Sequence, residues 1–194
     1  MAFRDTSILW KVAICIQALG LLLTIIGFST NYLVLIEIGG KTANAGLWKF
    51  CDMNDKCYDT SYLKYQKYDM GWLDASKGLM AISLCAEFVT ILMTSLSLLM
   101  KPTKLVPFAT AATAFFSALA GIIGVAVATG ELKSIFTEIS KLTYDVGWSF
   151  VLFMVSQAVY IASGSIHLLD SRGMEGFRAG RGTAQGDASN RDRF

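Results

Sequence analysis

Four long stretches of this chain are almost free of charge, and they limit what it can fold into. No charged residue stands between Lys11 and Glu37, between Lys104 and Glu131, or between Asp145 and Asp170. Between Lys77 and Lys101 there is one, Glu87. Each stretch exceeds the roughly 20 apolar residues that carry a helix across a bilayer. A backbone amide in hydrocarbon has no water to bond, so helices are the default solution. The sequence therefore predicts four spans, at about 8–30, 78–100, 105–129 and 147–169. Only 16% of the 194 residues are charged and 54% are hydrophobic, where a soluble domain carries about 25% charged residues. So little polar surface argues against a water-soluble enzyme. A net charge of +2 gives no electrostatic footprint for nucleic acid.

The first stretch is longer than the roughly 7–15 apolar residues of a secretory signal, and no convincing small-x-small cleavage site follows it. It reads as an uncleaved anchor. An even number of spans puts both termini on one side. That side holds all six arginines (Arg4, Arg172, Arg178, Arg181, Arg191 and Arg193) and the Lys101-Pro102-Thr103-Lys104 turn. By the positive-inside rule both termini are expected in the cytoplasm, with outer loops at about 31–77 and 130–146. Residues 170–194 are rich in arginine, acids and glycine, and predict a tail without regular structure.

The long outer loop carries strand signals. Tyr32-Leu33-Val34-Leu35-Ile36-Glu37-Ile38 is β-branched and aromatic, and Gly39-Gly40 closes it as a turn. Gly46-Leu47-Trp48-Lys49-Phe50-Cys51 and Cys57-Tyr58-Asp59-Thr60-Ser61-Tyr62 are two further candidates, joined by the turn-forming Asp52-Met53-Asn54-Asp55. Five of the seven tyrosines, at 32, 58, 62, 65 and 68, fall in this loop. The expectation is a small antiparallel sheet on the outer leaflet, with Trp and Tyr near the headgroups. Cys51 and Cys57 can close the second hairpin as a disulfide in an oxidising compartment. Two free thiols or half of a metal site are the alternatives, but the single histidine, His167, leaves no ligand set for zinc. Cys15 and Cys85, inside spans, read as small apolar fillers.

The spans themselves contain few polar groups. Glu87 sits about 14 Å into the second span at 1.5 Å per residue, and Gln157 enters from the same side to about 15 Å. Ser117 is expected at a comparable level. A charged side chain there costs about 2.5–3.5 kcal/mol on insertion scales, so Glu87 is expected to face the bundle and fasten helices together. The third span carries small residues four apart: Thr110/Ala114/Ala118, Ser117/Gly121 and Ala120/Gly124/Ala128. They predict close helix packing within the bundle. No catalytic constellation, metal cluster or cofactor motif stands out, and His167 reads as an interfacial polar residue with Asp170 three residues on.

Several segments resemble the claudin superfamily, which includes claudins, peripheral myelin and epithelial membrane proteins, and the gamma-type auxiliary subunits of channels and receptors. Gly46-Leu47-Trp48-Lys49-Phe50-Cys51 followed by Cys57 is similar to the family's G-L-W-x-x-C…C signature. Ser29-Thr30-Asn31-Tyr32 resembles the exit of the first helix, Leu73 to Met80 the approach to the second, and Tyr144-Asp145-Val146-Gly147-Trp148-Ser149-Phe150 the start of the fourth. Tyr32 and Leu33 stand where the family usually has a tryptophan, and the two cysteines are closer than in typical claudins, so a shorter hairpin is implied. The resemblance implies a claudin-like fold: an all-α four-helix membrane bundle with a small extracellular antiparallel β-sheet. It implies a plasma-membrane protein of cell–cell contacts that self-associates in cis and trans, with contacts in the hairpin and around Phe136 and Tyr144. The alternative is an auxiliary subunit of an ion channel or receptor. Asp192-Arg193-Phe194 resembles a PDZ-binding end, which would let Phe194 add to a sheet edge. Membrane lipid is the one partner that composition itself implies.

Overall fold

The computed structural model describes residues 8–38, 41–54, 56–60, 71–99, 105–140 and 143–191, with side chains except at 9, 38, 98–99, 134–144 and 170–191. In chain order the elements are α1 (Ile8–Ser29), β1 (Val34–Ile38), β2 (Lys41–Ala45), β3 (Lys49–Cys51), β4 (Cys57–Asp59), α2 (Gly71–Leu99), α3 (Leu105–Ser140), β5 (Thr143–Val146) and α4 (Trp148–Arg191). The helices pack in a ring: α1 on α2, α2 on α3, α3 on α4 and α4 on α1. Each contains a segment long and apolar enough to cross a membrane: Trp10–Ser29, Gly71–Ser97, Leu105–Lys133 and Trp148–Leu169.

The bundle is polar inside and apolar outside. Gln17, Thr24, Ser83, Glu87, Thr90, Ser117, Ser156, Gln157 and Ser163 are fully buried. Leu22, Phe88, Leu92, Phe116, Leu119 and Val155 are exposed. In water this arrangement forfeits the hydrophobic effect, whereas in lipid it lets helices associate through polar contacts and small residues. All eight small residues flagged on the third span are buried, as the packing expectation requires. At Gly121 an added Cβ would stand 2.7 Å from Ser83 Oγ and 2.8 Å from Gln157, and at Gly124 it would stand 2.9 Å from Met80.

At one end of the ring stands a five-stranded antiparallel sheet in the order β4-β3-β2-β1-β5. β1 is shared between two partners, with Val34 paired to Ala45 on one side and to Val146 on the other. Its core is continuous with the bundle's: Leu33, Val34, Ile36, Ala43, Ala45 and Leu47 form one buried cluster with Leu73, Met80, Val125, Leu132 and Phe153. The sheet is therefore a cap seated on the helices.

Several boundaries differ from the sequence expectation. α2 begins at Gly71 and not 78, and α3 runs to Ser140 and not 129. Charges end an apolar window, but they do not end a hydrogen-bond ladder. Leu132, Ile135, Phe136 and Ile139 keep helical spacing through the charged stretch. Among the described residues the second loop is thus helix to Ser140 and strand β5 from Thr143, a strand the sequence reading lacks. β2 was also missed: Lys-Thr-Ala-Asn-Ala has low strand propensity and is held by register with β1, not by its own preference. The strand expected at 46–51 is confined to 49–51, and Gly46 to Trp48 are the crossing that precedes it. The tail expected to lack regular structure continues α4 to Arg191, and no proline stands after Pro107 to stop the ladder. Cys15 and Cys85, read as small apolar fillers inside the spans, are free thiols on the exposed, apolar faces of α1 and α2. The Gly39-Gly40 turn, Tyr62, Tyr65, Tyr68 and Phe194 lie outside the described residues.

Two glycines with opposite surroundings test how the cap is seated. A Cβ at Gly147 would fall 1.7 Å from the Tyr32 carbonyl oxygen, while one at Gly78 meets nothing within 4 Å. Gly147→Ala is expected to destabilise by about 3 kcal/mol or more, because backbone must move. Gly78→Ala should be neutral or gain about 0.5–1 kcal/mol from helix preference. Thermal unfolding of the purified protein in detergent separates the two.

Candidate functional site

The cap is built around the chain leaving α1. Thr30 and Asn31 end that helix, and Gly46 crosses directly over them: a Cβ at Gly46 would meet Asn31 Cα at 2.4 Å and Thr30 O at 2.8 Å. Only a residue without a side chain fits. Leu47 next turns inward and is buried in the shared core. Trp48 turns outward, and its indole N–H donates to Phe28 O at 2.9 Å, one of the last-turn carbonyls that a helix leaves unpaired. The Phe28 and Trp48 rings meet edge to face at 5.3 Å. Lys77 Nζ lies 5.2 Å from the Trp48 ring centre and donates to Thr60 Oγ1 at 3.0 Å, tying α2 to the same tryptophan. The Gly-Leu-Trp sequence is thus a crossing, a plug and a clamp.

Thr60 closes the β3–β4 hairpin against this clamp. Its N–H donates to Trp48 O at 3.0 Å, and its hydroxyl lies within reach of the Leu47 and Trp48 carbonyls. Cys51 and Cys57 are directly cross-strand and are joined by a disulfide across a separation of six residues. Asp52 organises the turn: its Oδ1 accepts from the N–H groups of Asn54 at 2.8 Å and Lys56 at 3.0 Å. All three residues of β4 are exposed, so the hairpin projects from the cap. Tyr32, Trp48, Tyr58 and Trp148 also stand exposed at this end, and Tyr32 stacks on Trp148 at 5.6 Å. Tyr144 pairs with Ile36 in the β1–β5 ladder, and Phe136 lies on α3; their side chains lie outside those described.

The buried polar residues form a second constellation, within the bundle. Glu87 on α2 accepts at Oε1 from Thr24 Oγ1 of α1 at 3.0 Å and from Gln157 Nε2 of α4 at 3.1 Å. One carboxyl therefore joins three helices. Ser156 touches Thr24 and donates to Gly20 O at 2.8 Å. Ser117, expected at a comparable level, exchanges hydroxyl-to-carbonyl bonds with Ser83 at 2.9 and 3.0 Å, clasping α3 to α2. Nearer the opposite end, Gln17 Nε2 donates to Ser163 Oγ at 2.6 Å and lies 3.2 Å from His167 Nε2, and Tyr160 O–H donates to Gln17 O at 3.1 Å. His167, near the end of the apolar span of α4, is buried within the bundle, with the Trp10 ring edge-on at 4.6 Å. Gln17 and Thr24 were missed in the sequence. Their seven-residue spacing puts them on one helix face, which was the available signal.

Among the described residues no group of three or more His, Cys, Asp or Glu is placed to hold a metal ion. The family model described as PMP-22/EMP/MP20/Claudin matches residues 6–167. The chain belongs to that family and is a multi-pass membrane protein with a claudin-like fold. No curated protein matches it significantly.

Two experiments probe the two constellations. Removing the cross-link with Cys57→Ser should cost about 2 kcal/mol on the chain-entropy argument for so short a loop. Peptide mass mapping without reductant should recover Cys51 and Cys57 linked in the parent protein. In the bundle, Glu87→Gln keeps an acceptor for Thr24 and Gln157 and should leave surface expression unchanged. Glu87→Leu leaves the buried Gln157 amide without its acceptor, while Thr24 keeps Ser156, and should cost about 1–3 kcal/mol. Equal loss in both variants would point to a requirement for the carboxylate itself.

Proposed function

We propose that this chain is an adhesion and paracellular-barrier protein of cell–cell contacts, with the β-cap outside the cell and both termini in the cytoplasm. The observation that carries this reading is the projecting edge of the cap. β4 ends the sheet, all of it is exposed, and the disulfide and the Asp52 turn hold it in one shape. A short, rigid edge with Tyr58 on it suits repeated contact with copies of the same protein. Neighbours in the same membrane would meet through this edge. Copies on the facing membrane would meet through the hairpin tip and the segment around Phe136 and Tyr144.

Charge supports a barrier more than a strongly selective pore. Residues 31–77 carry Lys41, Lys49, Lys56, Lys64, Lys67 and Lys77 against Glu37, Asp52, Asp55, Asp59, Asp69 and Asp74. The totals cancel, so selectivity would be local, from the acids at 52, 55 and 59. A PDZ scaffold holding Phe194 belongs to the same picture of an anchored junction.

Expression in cells that lack junctions tests the proposal. The protein should concentrate where two expressing cells touch, and transepithelial resistance should change. Tyr58→Ser should still reach the surface but lose contact enrichment by about fivefold, the effect of an interface aromatic worth ~1 kcal/mol. Even distribution with unchanged resistance would defeat the reading. Recovery of a stoichiometric channel from native membrane would favour the auxiliary-subunit alternative.

A further inference from the structure

The geometry points to a phospholipid site in the groove between α3 and α4, beneath β5. The groove encloses about 270 Å³. Ile122 and Ala126 of α3 and Phe150 and Met154 of α4 line its length, and Lys133 and Val146 stand at the cap-side mouth. Its cause lies in the sequence. Ala126 and Gly130 are four residues apart, so they share one helix face, and neither fills the space in front of it. A Cβ at Gly130 would meet nothing within 4 Å.

Three properties identify the occupant. The first is length: from Lys133 to Ile122 the groove descends eleven residues of helix, about 16 Å. That is close to half of the ~30 Å hydrocarbon core, the depth of one leaflet. The second is volume, which falls just below the roughly 300–1,000 Å³ of pockets that enclose a whole small molecule. This suits a single acyl chain whose remainder lies outside. The third is polarity. The groove is lined along its descent by apolar side chains and Thr129, and it ends at an exposed lysine just beyond the charge-free stretch between Lys104 and Glu131. An acyl chain in the groove places its headgroup phosphate beside Lys133 Nζ. A sterol offers that ammonium no anion. The site lies on the cap-side leaflet and couples to the cap through Val146, the last residue of β5.

The test uses the full chain in detergent micelles with a phosphatidylcholine bearing a photoreactive diazirine at mid-chain. Adducts are mapped by peptide mass spectrometry. The expected result is labelling concentrated on residues 122–133 and 150–154 and competed away by excess unlabelled phosphatidylcholine. Ala126→Trp and Gly130→Leu should each lower that labelling severalfold without shifting the melting temperature. Labelling around the exposed Phe88 of α2 should stay unchanged. Lys133→Gln should weaken competition by the phospholipid. Should either filling variant fold poorly, saturable competition in the parent protein decides alone. Labelling spread evenly over the four helices, labelling that does not saturate, or preferential capture of a photoreactive sterol in the groove would overturn the assignment.

Discussion

The four residues from Thr30 to Leu33 are touched from both sides by distant parts of the chain, and the architecture depends on that junction. Gly46 lies against Thr30 and Asn31, and Gly147 lies against Tyr32 and Leu33. Leu33 N–H donates to Ala45 O at 2.9 Å, and Gly147 N–H donates to Leu33 O at 2.9 Å. A chain emerging from a helix has backbone groups to satisfy, and here they are satisfied by the strand that follows and the helix that comes last. The sheet register, the position of the fourth helix and the seating of the cap follow from this crossing. Leu47 and Trp48 complete it, one buried in the shared core and the other bonded to Phe28 O.

Below the junction the bundle obeys a different rule. Lipid removes the hydrophobic drive between helices, so cohesion falls to close packing and hydrogen bonds. Glu87, Thr24 and Gln157 join three helices at one carboxylate oxygen. The reciprocal Ser83–Ser117 pair brings in α3, and Gly121 lets Ser83 and Gln157 approach it. Glu87 Oε2, Gln157 Oε1 and Gln17 Oε1 find no partner among the described residues.

The four segments that resembled the claudin superfamily are far apart in sequence, and the structure explains why each has its composition. Ser29 to Tyr32 is the strut. Gly46 to Trp48 crosses it, Gly147 abuts it, and Leu73, Met80 and Lys77 supply the floor and the tie to Trp48. Helix number and the Cys51–Cys57 pairing were legible because charge-free length and cysteine spacing are local signals. β2 and β5 were not, since Lys41 to Ala45 and Thr143 to Val146 become strands through partners elsewhere in the chain. Helix ends were misjudged for a related reason: hydropathy reports where water begins, and α2 and α3 continue into it to meet the cap. Glu87 was legible as a bundle-facing residue, but its partner Thr24 was hidden within an apolar stretch.

Cap and bundle form one cooperative unit through the crossing at residues 30–33. Hydrogen exchange on the full chain in lipid nanodiscs, with and without Leu47→Ala, tests it most directly. The amides of Leu33, Gly46 and Gly147 are expected to be protected comparably to those of the buried helix faces, and Leu47→Ala to release all three together. Rapid exchange at these amides in the parent protein, with the helices still protected, would contradict it.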